Sequence, residues 1–269
     1  MEDNTAQLIE EENRAKYSGG IYDAKNISHL PSDNPKNGAE KSLVLRLGLV
    51  RKYATGTTVM DLCCGNGEHL LGFREDFNDC LGVDFSDAFV DEADTRRQQA
   101  GADNVRYICA NARDMPLDNV SIGTAYCFSS LYCMPQIVEV LSEVSRVLET
   151  GGVFIFDLGN IRSLNSIVCG AYTELAESCH ISIDDMCLSI EKVGFEIVEH
   201  RRFQLFPLWG DRPWWLKPLL HPLIEKIMRK EFKGKMLDEW ISSAPILRSF
   251  AFRHVFVCRK MKIEKLGVK

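Results

Sequence analysis

A strand, a glycine-containing turn and a helix start hold the most chemically suggestive residues of this 269-residue chain. The segment VMDLCCGNGEHL covers residues 59–70, and Asp61 ends its apolar run. Gly65 and Gly67 allow a tight turn and a close approach to a ligand, because no Cβ is in the way. Backbone N–H groups at the start of the following helix can hold a polar or anionic group. The segment therefore indicates a binding site for a small molecule.

Two kinds of cofactor fit a loop of this type. A dinucleotide site favours GxGxxG, whose third glycine lets helix and strand pack closely. The chain has GNGEHL from Gly65, so Leu70 stands in that third place. Asp61 is a poor neighbour for a pyrophosphate, since like charges repel, whereas it suits a cationic amine such as that of a methionine group. An NAD-dependent enzyme is therefore the weaker interpretation.

Polar residues also follow the next two predicted strands. Asp84 in GVDFS stands 17 residues after Gly67, where a carboxylate can accept hydrogen bonds from two ribose hydroxyls. Phe85 beside it can cover a purine face. Asn111 in CANARDMPL can accept a hydrogen bond from an adenine amino group. Taken alone, Asp84 fits an ordinary turn residue at a strand end equally well.

The surrounding chain alternates short apolar runs with helical patterns. Strands are predicted at 57–62, 80–83, 105–109, 123–128, 153–158, 195–206 and 252–259. A polar helix is predicted at 1–16, and helices with one apolar face at 39–53, 136–148 and 183–193. This alternation is typical of an α/β fold with a mostly parallel sheet covered on both faces. Such sheets bind ligands beyond the carboxyl ends of their strands.

Taken in order, DLCCGNG, GVDFS, ARDMPL and SEVSRVLETGGVFIFDLGN resemble the class I S-adenosylmethionine-dependent methyltransferases. The resemblance covers about residues 39–206, and the strand at 252–259 supplies the closing antiparallel pair. It implies a Rossmann-like, seven-stranded, mostly parallel sheet with helices on both faces. It also implies S-adenosylmethionine as the cofactor and methyl transfer as the reaction.

The resemblance assigns parts of the cofactor to particular residues. Asp84 is expected on the ribose, Phe85 and Ala112 on either side of the adenine, and Phe128 and Ser129 near the sulfonium and the acceptor. Asn111 stands where the family usually has Asp, so a weaker affinity is expected. Tyr17 and Tyr22 are expected in a lid over the cofactor, although they also fit a loop with scattered aromatics. The full set of residues expected to bind the cofactor is Asp61, Cys63, Gly65, Asn66, Gly67, Asp84, Phe85, Ser86, Asn111, Ala112, Phe128, Ser129, Tyr17 and Tyr22.

Three parts of the chain are expected. Residues 1–38 form an N-terminal helix and lid, residues 39–206 with 251–269 form the methyltransferase core, and residues 207–250 form an insert before the last strand. The insert holds all four tryptophans and five of the nine prolines. It fits a hydrophobic cap over the acceptor, a contact for a carbohydrate or lipid-linked glycan, or a partner or membrane interface.

Charge and composition indicate where the protein acts. Residues 200–269 carry a net charge of +10 and residues 1–199 a net charge of −16. This asymmetry favours an anionic partner, or a basic face that packs on the acidic body. The polar N-terminus and the lack of a membrane-length apolar run predict a cytoplasmic protein, with or without contact to a membrane surface. No cysteine or histidine spacing indicates a metal site.

The acceptor is the least determined part of the hypothesis. The segment FSSLYCM lacks the motif of amino-directed DNA methyltransferases, so DNA is not expected. His254 is the preferred general base and Tyr132 the second candidate, although each also fits a structural role. A weaker similarity to surface-glycan methyltransferases favours O-methylation of a sugar on a lipid- or nucleotide-linked glycan. The alternatives are another small molecule or lipid, such as a quinone or natural product, and a non-catalytic cofactor-binding scaffold.

Overall fold

The protein is described by a computed structural model that covers residues 2–18, 22–25, 34–207 and 209–262. Residues 19–21 and 26–33 of the expected lid lie outside the described residues. A seven-stranded sheet forms the centre, with strands β1 (Thr58–Leu62), β2 (Asp79–Asp84), β3 (Val105–Cys109), β4 (Ile122–Cys127), β5 (Leu148–Gly159), β6 (Phe195–Phe203) and β7 (Arg253–Lys260).

The strands lie in the order β3-β2-β1-β4-β5-β7-β6. The first five are parallel, and β7 runs antiparallel between β5 and β6. This confirms the predicted Rossmann-like, mostly parallel sheet. The strand order reverses between β1 and β4, so the crevice beyond their carboxyl ends is the expected place for a ligand.

Helices cover both faces of the sheet. They are α1 (Glu2–Ser18), α2 (Gly38–Tyr53), α3 (Glu68–Leu71), α4 (Asp87–Gln99), α5 (Ile137–Val147), α6 (Leu164–Gly170), α7 (Ile183–Lys192), α8 (Pro222–Met228) and α9 (Leu237–Ser242). On one face, Leu47 and Val50 of α2 join an apolar layer with Val257 of β7. On the other face, α5 buries the predicted stripe that includes Val140 and Val144. None of the described helices has the length and apolar run needed to cross a bilayer.

Two strand boundaries differ from the prediction by several residues, and helix α6 was not predicted. β5 begins at Leu148, directly after α5, because Leu148 pairs with Ile122 of β4. β6 ends at Phe203 because Gln204 has a positive φ of 65° and its N–H turns to Asp238. The unpredicted helix α6 is capped by Ser163, whose hydroxyl accepts from the Ser166 N–H at 3.1 Å.

The insert lies between β6 and β7 in the chain and packs beside α2. It holds α8, α9 and a short hairpin of Glu231–Phe232 with Lys235–Met236. The Gly38 N–H at the start of α2 donates to Glu225 at 2.6 Å, and Lys41 pairs with Glu231 at 2.8 Å. These contacts hold the insert against the core at its α2 side.

Candidate cofactor and acceptor pocket

A cavity of about 510 Å³ lies beyond the carboxyl ends of β1, β2, β3 and β4. Its walls also include α1, the turn after β4 and the start of β7. Its size is that of a pocket for a small molecule. The sheet therefore brings residues from distant parts of the chain to one site. Twelve of the fourteen residues predicted to bind cofactor line this cavity, all except Gly67 and Ser86, namely Asp61, Cys63, Gly65, Asn66, Asp84, Phe85, Asn111, Ala112, Phe128, Ser129, Tyr17 and Tyr22.

The glycine loop is held by the carboxylate at the end of β2. Asp84 accepts a hydrogen bond from the Gly65 N–H at 2.9 Å and another from the Ser86 N–H at 3.0 Å. The N–H groups of Cys63 and Cys64 both donate to the Val83 carbonyl, at 2.7 and 3.1 Å. Burial raises the pKa of the Asp84 carboxyl, and the hydrogen bonds that it accepts from the Gly65 and Ser86 N–H groups oppose that effect. Asp84 thus both shapes the loop and presents a carboxylate to the cavity.

Asp61 is the second carboxylate at this end of the cavity. It is 3% exposed, and within the described part of the chain its Oδ2 atom has no hydrogen-bond partner. Burial raises the pKa of its carboxyl well above the usual value, a contact with Tyr126 opposes the shift, and the neighbouring Asp84 adds to it. A ligand with a cationic group would relieve both the missing hydrogen bond and the unfavourable burial.

The residues predicted to contact adenine lie in the wall of one cavity. Phe85, Asn111 and Ala112 line the cavity together. The side-chain oxygen of Asn111 already accepts from the Arg113 N–H at 3.0 Å, and its amide group donates to Glu10 at 3.4 Å. The carbonyl oxygen therefore has one remaining lone pair for a ligand.

Helix α1 closes over this end of the cavity, which the sequence did not predict. Asn13 is 5% exposed and donates to the carbonyls of Cys133 and Glu177 at 3.0 and 3.1 Å. Its own side-chain oxygen accepts from the Glu177 N–H at 2.7 Å. These partners are far away in the chain, and no local motif marks Asn13, so the pattern of a polar helix at 1–16 could not reveal the contact.

The two lid tyrosines lie against the cofactor end. The rings of Tyr17 and Tyr22 stack with centroids 4.4 Å apart, and Tyr17 meets Phe85 edge-on at 5.8 Å. The Tyr22 hydroxyl accepts from the Ala176 N–H at 3.3 Å. The two tyrosines predicted in the lid therefore stack on each other, and Tyr17 lies beside Phe85.

Gly67 and Ser86 do not line the cavity. Gly67 has a φ of +77°, and a Cβ built on it would lie 2.4 Å from the Tyr107 hydroxyl oxygen. A glycine is thus required for backbone conformation and for packing on Tyr107 rather than for contact with a ligand. Ser86 is 1% exposed and contributes its backbone N–H to Asp84.

His254, the preferred base, also lies outside the cavity walls. It is 1% exposed, its Nδ1 lies 2.8 Å from Nε2 of His200 on β6, and its Nε2 lies 3.2 Å from the Ala251 carbonyl oxygen. Burial and the neighbouring Arg202 together lower the pKa of His254 to about 3. Side chains alternate along a strand, so its neighbour Arg253 faces the cavity instead. This position does not support a role for His254 as the general base.

The other end of the cavity is apolar with a charged floor. Tyr132, the second candidate base, lines it, and its ring meets His180 edge-on at 5.8 Å. Burial raises the pKa of Tyr132. The apolar walls include Leu43, Leu175, Trp209 and Phe252, while the floor is formed by Arg46, Arg253 and Ser129. Neither arginine was predicted from the sequence, because neither stands in a motif.

The part of the chain that forms the cofactor end of the sheet is similar in sequence to known proteins. Residues 59–152 match a family model described as a methyltransferase domain. These residues run from β1 into β5 and so include the whole cofactor end of the sheet. The cofactor end of the sheet therefore matches a methyltransferase domain.

Two curated proteins are similar to this chain in sequence. It is 23% identical over 197 residues to a 24-methylenesterol C-methyltransferase of Arabidopsis thaliana, covering 70% of this chain and 54% of the relative. It is 29% identical over 101 residues to the demethylmenaquinone methyltransferase of Lactococcus lactis, covering 36% of this chain and 40% of the relative. The chain thus spans about half the length of the curated relatives it matches, or less.

A solved structure shares the fold along nearly the whole chain. The geranyl diphosphate C-methyltransferase of Streptomyces coelicolor superposes with a TM-score of 0.61 at 18% identity. The alignment covers 94% of this chain and 98% of that one. At this identity the likeness shows the fold alone.

The cofactor end of the cavity fits S-adenosylmethionine. The unpartnered oxygen of Asp61 suits the ammonium group of the methionine part, and Asp84 suits the ribose hydroxyls. Phe85 and Ala112 stand where an adenine ring needs apolar contact. The donor set therefore agrees with the cofactor that the family uses.

Proposed function

We propose that the protein transfers a methyl group from S-adenosylmethionine to a small, largely apolar acceptor. The observation that carries this proposal is the single cavity, in which the carboxylates Asp61 and Asp84 at one end are continuous with an apolar, arginine-floored space at the other. A transferase needs both substrates in one enclosed site, because positioning supplies much of the acceleration of an in-line displacement.

The residues of this chain have defined tasks in such a transfer. Asp61 would hold the ammonium group, Asp84 the ribose, and Phe85 with Ala112 the adenine. When bound, S-adenosylmethionine supplies a methyl group that is already activated by a positive sulfur. Helix α1 and the stacked Tyr17 and Tyr22 would exclude water from the cofactor end.

A quinone, sterol-like or isoprenoid acceptor is favoured over a sugar. Leu43, Leu175, Trp209 and Phe252 form apolar walls, as such an acceptor requires. The names of the two curated relatives describe acceptors of this kind. A sugar hydroxyl needs a general base, and burial raises the pKa of Tyr132, Cys133 and Cys169, which keeps these groups protonated and disfavours them as bases. Sugar O-methylation stays a prediction from the sequence.

We also propose that the insert touches an anionic membrane surface, where an apolar acceptor would be found. Within the described residues, every exposed tryptophan and phenylalanine lies in the insert, with Trp214 78% and Phe232 62% exposed. Lys226, Lys230 and Lys233 are exposed in the same segment and make no ion pair with a described residue. Aromatic and basic side chains together are typical of surfaces that lie on anionic lipid.

A methyl-transfer assay tests the proposed function. Purified protein, S-adenosylmethionine with a tritiated methyl group and a fractionated cell extract should give label in the lipid or small-molecule fraction. Asp84→Ala should abolish the label, because the loop and the ribose lose their carboxylate, whereas Asp91→Ala on the exposed side of α4 should retain it. Thermal unfolding of both variants verifies that they fold.

The other outcomes separate the alternatives. Label in a glycan fraction would support the sugar acceptor instead. Binding of S-adenosylhomocysteine without label in any fraction would favour a cofactor-binding scaffold. Binding of NADH without binding of S-adenosylhomocysteine would contradict the proposal entirely.

A further inference from the structure

Three charged side chains meet at the floor of the acceptor end. Arg46 comes from α2, Asp157 from β5 and Arg253 from β7. Nη1 of each arginine contacts the same oxygen, Oδ2 of Asp157, which is fully buried. Both Nη1 groups also donate to the Ser129 hydroxyl at 3.0 Å, and the Ser129 N–H donates to Oδ1 of Asp157 at 2.6 Å. We call these four residues the arginine cluster.

The arginine cluster holds one more positive charge than negative. Burial raises the pKa of Asp157, but the two guanidinium groups outweigh this and leave it below its usual value. Burial and the neighbouring Arg253 lower the pKa of Arg46 to about 10, so it stays protonated at neutral pH. A largely buried surplus charge is costly unless an opposite charge pairs with it.

The guanidinium groups have donors left for such a partner. Arg46 uses Nε toward the Ser42 carbonyl at 3.2 Å and Nη1 in the cluster, and Arg253 uses Nη1 alone. Nη2 of both residues therefore has no hydrogen-bond partner among the described residues. Both side chains line the cavity, with Phe128 beside Arg46 and Phe252 beside Arg253.

Resting on the proposed function, we infer that the arginine cluster binds a negatively charged oxygen of the methyl acceptor. The ligand class is an acceptor with a phenolate, enolate, carboxylate or phosphate oxygen. An acceptor hydroxyl that gives its proton to solvent would be held here as the anion. This explains how the acceptor end can work without a protein base, since the arginines stabilise the charge instead.

The carboxylate of the cofactor is a second source of the same chemistry. Its ammonium and carboxylate groups share one carbon atom, so a carboxylate bound beside Asp61 must lie close to β1. In the sheet, β5 is two strands and β7 three strands from β1, which corresponds to about 10 and 14 Å at a spacing of ~4.8 Å. Ser129 follows β4, the neighbour of β1, but the backbones of Asp157 and Arg253 lie farther from Asp61, which favours the acceptor as the source.

Binding of benzoate and benzamide to protein saturated with S-adenosylhomocysteine tests the inference. The two probes have nearly the same shape, but benzoate alone carries a negative oxygen. Isothermal titration should give benzoate an affinity about tenfold or more above that of benzamide, as expected for charge-assisted hydrogen bonds. Equal affinities, or no binding of benzoate, would overturn the inference.

Arg46→Met is the informative variant, because it leaves the neutral pair of Asp157 and Arg253 in place. It should fold and lose the preference for benzoate. Arg51→Met on the same helix is the matched control, since Arg51 is half exposed and pairs with Asp76 at 2.8 Å. The control should keep the preference. If Arg46→Met does not fold, Arg253→Met, which leaves Arg46 paired with Asp157, takes its place.

Two cofactor analogues distinguish the sources of the anion. S-adenosylhomocysteine has the amino-acid part and 5′-methylthioadenosine lacks it. Arg46→Met should leave the affinity ratio of the two unchanged. A selective loss of S-adenosylhomocysteine affinity would assign the cluster to the cofactor and overturn the inference, whereas a wild-type protein that binds neither analogue would contradict the proposed function itself.

Discussion

At the scale of single residues, two buried carboxylates control the cofactor end. Asp61 and Asp84 lie side by side, and burial raises the pKa of both. Asp84 has backbone hydrogen bonds that favour its ionised form, whereas Oδ2 of Asp61 has none within the described residues. Asp61 therefore depends most on a cationic ligand to become ionised.

We predict that the affinity for S-adenosylhomocysteine increases with pH up to the raised pKa of Asp61. Where Asp61 is protonated in the free protein, the ammonium group of the ligand favours the carboxylate, so binding releases a proton. Each pH unit below the raised pKa then costs up to about tenfold in affinity. Titration calorimetry in buffers of different ionisation enthalpy measures both the affinity and the released proton.

Asp61→Asn provides the test of this assignment. The variant should bind more weakly at pH 7, because an amide has no negative charge for the ammonium group. Its pH profile should be flatter, because Asp61 no longer titrates and Asp84, Tyr126 and Cys64 remain as the titratable groups around the site. An unchanged profile would assign the proton to another group.

The residues of the cofactor end could be predicted because they stand in local motifs. Asp61 and Gly65 share one strand–turn segment, and Asp84 and Phe85 end the next strand. The arginine cluster joins residues from α2, β5 and β7, so no spacing in the sequence marks it. His254 was misplaced for a related reason, since a shift of one position along a strand moves a side chain to the opposite face.

At the scale of elements, α1 is the part that closes the cavity. Its Asn13 makes three hydrogen bonds to residues at 133 and 177, and Arg113 pairs with Glu10 near the adenine end. The helix itself was predicted from the sequence, but its position was not. Only the folded chain brings residues 133 and 177 to it.

We predict that Asn13→Ala speeds the dissociation of S-adenosylhomocysteine by roughly tenfold. Loss of the side chain leaves backbone groups without partners, which costs about 1–3 kcal/mol and loosens the lid. Stopped-flow displacement measures the rate, and hydrogen exchange follows the opening of α1. Gln7→Ala, on an exposed part of the same helix, should behave like the wild type. Faster exchange in α1 with an unchanged dissociation rate would show that the helix does not gate the cofactor.

At the scale of the whole molecule, the sheet and the insert differ in how far the sequence determines them. The strand order follows from motifs and alternating elements, whose rules are general. The insert has no such pattern, and its predicted role as a cap is met by few contacts. Of its described residues, Trp209 alone lines the cavity. The other exposed aromatic residues of the insert do not line the cavity.

We predict that the protein binds vesicles of phosphatidylcholine mixed with phosphatidylglycerol more strongly than vesicles of phosphatidylcholine alone. The exposed tryptophans would enter the interface, and each lysine near an anionic surface contributes about 1 kcal/mol.

Cosedimentation should show that Trp214→Ser weakens binding to both vesicles, whereas Lys226→Glu reduces the preference for the anionic ones. Ile161→Ser, which changes a 55% exposed side chain outside the insert, is the control and should have no effect. Salt should weaken the anionic preference, because it screens exposed charges. Equal binding of the wild type and both insert variants would show that the insert is not the membrane contact.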